Sequence, residues 1–384
     1  MGIRRNITQA MRALSREFIT LNRVEISRAA LLHNFDIFQK LSPKSQVIPV
    51  LKANAYGHGL EQVAETLQVR DLPYLAVDGY FEALRIREVS RQPTLVMGAI
   101  HPDNFAHMKY KDFAFLVHDE TTIIALGKTG RNIPIHIELE TGMMRHGVQP
   151  NTLPAILQLL KRYPNLAVEG VMSHLADSDN PDTTFTDEQV RRFDLMVQQI
   201  IEAGFWPHII HLGQTAGSTK VRSKYATAVR VGIGLYGVNP LQKTDTGYAW
   251  LKGLRPALKI ITTITKIVPV PAGESVSYGR TFTAPRDMKI GILPIGYYEG
   301  LPRALGNQGQ VIWHDTPLPL VGRVNMNHCM VDLSKTTAKI GDEVQVLGGT
   351  TGQCTSVDHL SKTFDLFPYS LLTGVNENLR RIIT

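Results

Sequence analysis

The chain has 384 residues, 43% of them hydrophobic, and its 41 Lys and Arg exceed 34 Asp and Glu to leave a net charge of +7. The length is too great for one ordinary core and predicts two domains, while the mean hydropathy of −0.07 and the lack of any bilayer-length apolar run fit a soluble protein without a membrane partner. The positive charges are scattered and accompany no helix-turn-helix, zinc-finger or RNA-binding signature, so solubility explains the excess and no nucleic-acid partner is expected.

The first twenty residues carry Arg4, Arg5, Arg12 and Arg16 against one acid, Glu17. That charge pattern resembles an organelle-targeting helix but has no apolar core or cleavage site of a secretory signal, and a docked or frayed N-terminal extension over 1–20 is the expectation. Gly2 does not open a myristoylation site, because Asn6 stands where Ser or Thr is required. The two cysteines, Cys329 and Cys354, predict a reducing, cytoplasmic setting rather than a disulfide framework.

From Val24 onward, helix-period and short apolar segments alternate. The spacing predicts a helix over 28–41, stopped before Pro43. Apolar strand candidates follow at 47–51, 74–77, 94–98, 113–117, 133–139, 167–173, 208–212 and 228–231, with helical patterns at 60–67, 80–89, 121–127, 153–161 and 187–203. Such alternation predicts an α/β fold, a (β/α)8 barrel over 21–255; the rival doubly wound sheet would carry a glycine fingerprint that is absent. Past Arg255 the texture changes to strand runs at 257–268, 288–293, 309–313, 318–324, 328–333 and 343–347, with helical pattern only near 356–363. This predicts an all-β domain over 256–384.

In a barrel, chemistry gathers at the carboxyl ends of the strands. The run Val47–Leu51 ends abruptly in Lys52, then Ala53-Asn54-Ala55-Tyr56-Gly57-His58-Gly59. A lysine at a strand's mouth among apolar neighbours sheds hydration, which makes the neutral, carbonyl-seeking amine accessible. Past later strands come Glu138, Glu140, Thr141, Gly142 and Arg145, then Ser173-His174, then His211, Thr215 and Gly217, then Arg230, Gly232, Gly234 and Tyr236. Small residues and a hydroxyl at 215–217, with Gly232-Ile233, leave backbone N–H groups free to approach a phosphate. An amine for an aldehyde and a seat for a phosphate together suggest pyridoxal 5'-phosphate.

The stretch 50–59 resembles the pyridoxal-phosphate attachment motif of the alanine racemase family. Glu140-Thr141-Gly142-Met143-Met144-Arg145-His146-Gly147, Glu169-Gly170-Val171-Met172-Ser173-His174, Val229-Arg230-Val231-Gly232-Ile233-Gly234-Leu235-Tyr236-Gly237, Ser275-Val276-Ser277-Tyr278-Gly279 and Gly296-Tyr297 stand in that family's order, over almost the whole chain from Leu21. The resemblance implies that Lys52 carries the cofactor and is one of two catalytic bases, the other being Tyr278, entering from the partner subunit of a homodimer. Inverting a stereocentre removes a proton on one face and returns one on the other, so two bases must flank the carbon. It further implies that His174 and Arg230 assist the tyrosine and that Arg230 faces the ring nitrogen. Tyr56, Thr215, Gly232, Ile233 and Tyr369 would hold the phosphate, Arg145 and the N–H of Met326 the substrate carboxylate, and Tyr297 would narrow the entrance. The expected reaction is the interconversion of L- and D-alanine, supplying D-alanine for peptidoglycan; the alternative is a racemase of other or broader amino acids, serine and lysine among them.

The chain departs from the family pattern at several positions. Glu138 replaces a lysine that many members carry carbamylated, and its carboxylate is expected to supply the same negative charge beside Arg145. Met144 replaces a usual glycine and Thr215 a serine, which keeps the hydroxyl; Asn327 replaces an aspartate and Asn325 stands where a cysteine is usual, and these two changes bear on substrate breadth more than on reaction type. His208 and His211, or His328 beside Cys329, lack a third ligand at motif spacing, so no metal is expected.

Overall fold

The computed structural model describes residues 19–41, 43–109 and 112–384; the N-terminal pattern of Arg4, Arg5, Arg12, Arg16 and Glu17 lies outside them. Two compact units emerge. One comprises Ser27–Ala257 with Pro368–Thr373 and Ile383–Thr384; the other comprises, among the described residues, 19–26, Leu258–Phe367 and Gly374–Ile382.

A first strand, β1 (Arg23–Ile26), belongs to the second unit. The first unit is built on eight parallel strands: β2 (Gln46–Pro49), β3 (Leu75–Val77), β4 (Thr94–Val96), β5 (Phe113–Val117), β6 (Ile133–Glu138), β7 (Leu166–Met172), β8 (Ile209–His211) and β9 (Ala228–Val231). They pair in the order β2-β9-β8-β7-β6-β5-β4-β3, and a parallel bridge between Val50 and Ala76 closes the ring. Each apolar run read from the sequence becomes one of these strands, because a parallel strand covered on both sides must be apolar throughout. The fold is therefore a (β/α)8 barrel with a separate β unit.

Helices fill the connections where the apolar period predicts them, over 28–41, 60–67, 80–89, 120–127, 153–161 and 184–202. Their starts are set by side-chain acceptors: Ser27 Oγ takes the Ala30 N–H at 3.2 Å, and Asp119 Oδ1 takes that of Thr122 at 2.7 Å. The sixth helix begins upstream of its apolar period because Asp182 accepts the Thr184 N–H at 2.9 Å and satisfies a first-turn donor there.

The second unit contains a six-stranded sheet in the order β16 (Thr316–Pro319), β15 (Gln310–Trp313), β18 (Glu343–Gly348), β10 (Leu258–Thr263), β1 and β19 (Arg380–Ile383). A three-stranded sheet joins β11 (Lys266–Val270), β14 (Met288–Leu293) and β17 (Cys329–Asp332), and β12 (Ser275–Val276) pairs with β13 (Phe282–Thr283). The run 257–268 is two strands in different sheets, not one. The run 318–324 yields only the strand 316–319, since Gly322 turns left-handed at φ 74°. A helix at Pro368–Thr373, absent from the sequence reading, belongs to the barrel unit.

Within the barrel unit, fully buried Asn34 donates to the carbonyls of Leu235 (3.0 Å) and Arg255 (2.8 Å) and accepts the Arg255 N–H at 2.8 Å. Asn34→Ala leaves these groups without partners and is expected to cost roughly 2–3 kcal/mol; an unchanged urea midpoint for the variant would contradict that tie.

Candidate active site

Lys52 follows β2 at the carboxyl mouth of the barrel, and the chain beyond it does something rare for L-residues. Ala53, Asn54, Ala55 and Tyr56 all lie left-handed, with φ between 51° and 54°, and the turn closes with Gly57 N–H to Ala53 O at 3.1 Å. Each such residue costs on the order of 1–2 kcal/mol. The turn is pinned from outside: Glu82 accepts the Ala53 N–H at 2.8 Å and those of Asp78 and Gly79 at 2.9 and 3.1 Å, while Asn54 Oδ1 accepts from Leu60 at 2.9 Å. The apolar wrapping expected around Lys52 is not found. Its side chain is 40% exposed and its ammonium lies 3.6 Å from Asp78, which follows β3.

Arg230 sits on β9 with 2% exposure. Its Nη atoms donate to the carbonyls of His211 (2.7 Å), Ser173 (2.8 Å) and Leu212 (3.2 Å), and meet His211 Nδ1 at 3.0 Å and His174 Nδ1 at 3.2 Å. Its Nε has no hydrogen-bond partner among the described residues. Burial pulls the guanidinium down to about 10, the charge of Glu138 pushes it back up, and Arg145 adds to the lowering; it is protonated at neutral pH. Burial, then the charges of Arg230, Arg145 and Lys52, pull His174 down to about 3. These three cations and His174 therefore share one neighbourhood, and His174 is neutral there.

Arg145 lies on a loop clipped shut by Glu140 N–H to Val148 O (3.0 Å) and Val148 N–H to Glu138 O (2.7 Å). Glu138, with its side chain 5% exposed, stands 3.9 Å from Arg145 Nη2. Met144 takes φ 53°, which gives a physical reason for a glycine at this position. The predicted phosphate residues also come together. A Cβ added at Gly232 would lie 2.5 Å from the Tyr56 hydroxyl, Thr215 Oγ1 accepts the Gly234 N–H at 3.2 Å, and the Tyr56 and Tyr369 rings are 6.2 Å apart. The N–H groups of Gly232 and Ile233 have no partner among the described residues. Burial raises Tyr56, and burial with Asp179 raises Tyr369 to about 12, so both keep their hydroxyl protons as donors.

Tyr278, Tyr297 and Met326 lie in the β unit, where with Arg303, Arg323 and Asn325 they line a cavity of about 560 Å³. Tyr278 is 73% exposed and follows Ser277, whose φ 70° and ψ 177° are close to glycine-only territory. Ser277 Oγ reaches Arg323 O at 3.0 Å and Asn325 Oδ1 at 3.1 Å. Tyr297 N–H donates to Asn325 O and Tyr298 N–H to Met326 O, each at 3.0 Å, and Asn327 donates to Glu299 at 2.7 Å.

Sequence reasoning passed over Asp78, Glu82, Asn325 as a partner of Ser277, and His136. Asp78 was within reach of the strand-end rule that picked Glu138, and His136 could have been found by counting two residues back from Glu138 along the same strand face.

A strand-end lysine beside bare N–H donors, with an arginine Nε that has no partner among the described residues, fits an aldehyde cofactor with a phosphate tail and a ring acceptor, as in a barrel enzyme of the pyridoxal-phosphate type. The family model "Alanine racemase, N-terminal domain" matches residues 26–240, and "Alanine racemase, C-terminal domain" matches 257–383. The chain belongs to the alanine racemase family, whose members are pyridoxal-phosphate-dependent isomerases. It is 33% identical to alanine racemase 2 of Caldanaerobacter subterraneus subsp. tengcongensis, over 94% of each chain. Among solved structures it resembles alanine racemase of Clostridium difficile 630 (26% identity, TM-score 0.88, 96% of this chain and 97% of that one). It also resembles the Bacillus anthracis enzyme with bound L-Ala-P (27% identity, TM-score 0.87, 96% of each).

Two outcomes follow. His136 and His174 are pulled to about 3 and His211 well below its ordinary value, burial being the first cause for each. The unfolded chain therefore takes up their protons first, near an unperturbed pKa of about 6.5, so stability is full above that pH and falls as pH drops, by up to about 1.4 kcal/mol per pH unit for each histidine. Urea unfolding between pH 6.5 and 4.5, above most carboxylate titration, should show this decline; a flat profile would contradict it. Glu138→Gln removes the carboxylate beside Arg145 and is expected to lower kcat/KM about tenfold, and unchanged kinetics would dismiss its role.

Proposed function

We propose that this chain interconverts L-alanine and D-alanine in a cytoplasmic homodimer, with Lys52 and Tyr278 of the partner subunit as the two bases on opposite faces of the substrate. The observation that carries the reading is Lys52, at the foot of a pinned left-handed turn at the barrel mouth, whose charge acts on the same His174 that Arg230 and Arg145 act on. Bound pyridoxal phosphate supplies the electron withdrawal that acidifies the substrate's Cα–H. Tyr56, Thr215, Gly232, Ile233 and Tyr369 would hold its phosphate, and Arg230 would face its ring.

The remaining work belongs to the chain's own groups. Arg145 and the Met326 N–H take the substrate carboxylate, and Tyr297 limits the width of the entrance. Arg230 donates to His174 Nδ1, so the neutral imidazole carries its proton on Nε2 and offers that N–H to the tyrosine oxygen. A donor aimed at the phenol oxygen favours its ionised form, which a base requires. D-alanine from this reaction serves peptidoglycan. Asn325 and Asn327 line the β-unit cavity and favour, as a second reading, a broader substrate range; a kcat/KM series over alanine, serine and lysine separates the two.

Tyr278→Phe should retain the yellow cofactor absorbance while racemisation falls at least about a hundredfold, with unequal loss of exchange in the two directions. Wild-type turnover in that variant would end the two-base reading.

A further inference from the structure

His136 is used by none of these steps, yet the barrel is shaped around it. It lies on β6, two residues before Glu138 and so on the same face. In register it opposes Gly170 on β7, where a Cβ would lie 2.2 Å from His136 Nδ1. The missing side chain lets the imidazole cross β7 and reach His211 on β8, Nδ1 to Nε2, at 2.8 Å. The β6–β7 pairing shifts register between Ile135 and His136, at the same place.

Proton positions along this row follow from one property of arginine: its guanidinium donates and does not accept. Arg230 Nη1 faces His211 Nδ1 at 3.0 Å, so that nitrogen is bare and His211 is protonated on Nε2. His211 then donates to His136 Nδ1, and the proton of His136 falls on Nε2. That N–H is buried with no hydrogen-bond partner among the described residues. The Tyr74 ring stands edge to face with His136 at 5.1 Å and sends its own hydroxyl to Glu169 at 2.6 Å. His208, His211 and Arg230 are the other titratable groups acting on or touching the imidazole. A buried donor without an acceptor is costly, and an aliphatic side chain would avoid it. The imidazole is therefore kept for what its other nitrogen does.

We propose that His136 is a positioning residue for racemisation: it accepts from His211, fixes that ring in the Nε2–H tautomer, and so holds Arg230 with Nε directed to the cofactor ring. The last link rests on the role given to Arg230 under the proposed function. Gly170 is part of the same device, because any larger residue there would push His136 off His211.

The test uses the full-length holoenzyme labelled with 15N-histidine. NMR should show His211 as the neutral Nε2–H tautomer, assigned with His211→Gln, and this readout is independent of whether alanine is the substrate. His136→Leu should lower kcat about tenfold at nearly constant KM and shift the cofactor absorption band, whereas His136→Asn, which returns an acceptor near the Nδ1 position, should recover to within about threefold of wild type. A His211 Nδ1–H tautomer in the wild type overturns the inference. So does equal impairment of the Leu and Asn variants. If His136→Leu does not fold, the wild-type tautomer and the kcat of His136→Asn decide the matter. A preparation that racemises nothing, with the tautomer as stated, would instead overturn the proposed function.

Discussion

A permanently charged guanidinium buried inside a closed barrel is the constraint to which the rest of the site answers. Taking such a cation out of water costs several kcal/mol even after relaxation. Arg230 recovers this through three carbonyls and two imidazole nitrogens, with Glu138 as the acid whose charge supports it. Because the group only donates, every nitrogen facing it must be bare. His174 and His211 are thereby held in the same tautomer, for the same reason, on neighbouring strand ends. The barrel is a scaffold for this arrangement in a literal sense: the residue just past β7 supplies Ser173 O, β8 supplies His211, and β9 supplies the arginine.

The second recurring feature is strain beside chemistry. The left-handed run 53–56 follows Lys52, Met144 at φ 53° precedes Arg145, and Ser277 at φ 70° precedes Tyr278. In each case hydrogen bonds from residues outside the turn hold the backbone: Glu82 and Leu60, the Glu138–Val148 clip, or Arg323 and Asn325. Strained residues persist where the surrounding structure over-determines them. The result is that the reactive side chains leave their turns in one direction, which lowers the entropy lost when a substrate is gripped.

The barrel was legible in the sequence because a strand covered on both sides has little choice but to be apolar, and each of its strands is marked by such a run. Short β1 and the helix 368–373 were not, since each is too brief to show a period and each joins the unit that is remote from it in sequence. The run 257–268 concealed two strands because a break of two residues at Ile264-Thr265 leaves its apolar texture intact. Of the site, Lys52 was visible through the abrupt end of its strand, but its carboxylate neighbour was not. Asp78 comes from the next strand round the ring, and adjacency across a closed barrel is a property of the ring, not of local pattern. The tautomers were invisible for a similar reason: they depend on which nitrogen faces Arg230, and that is settled only by distances.

The exposure of Tyr278 bears on assembly. An aromatic side chain with 73% of its surface in solvent gains little from folding, yet its turn adopts a backbone conformation that costs on the order of 1–3 kcal/mol and spends the Ser277 hydroxyl on holding it. The apolar cluster of Val276, Ala284, Met288, Ile290, Val321 and Met330 in its own unit does not include the ring. A side chain presented outward at such cost is understandable if a second copy of the chain receives it. On that reading, strain in one subunit prepares the base for the other, and neither site is complete until two chains meet.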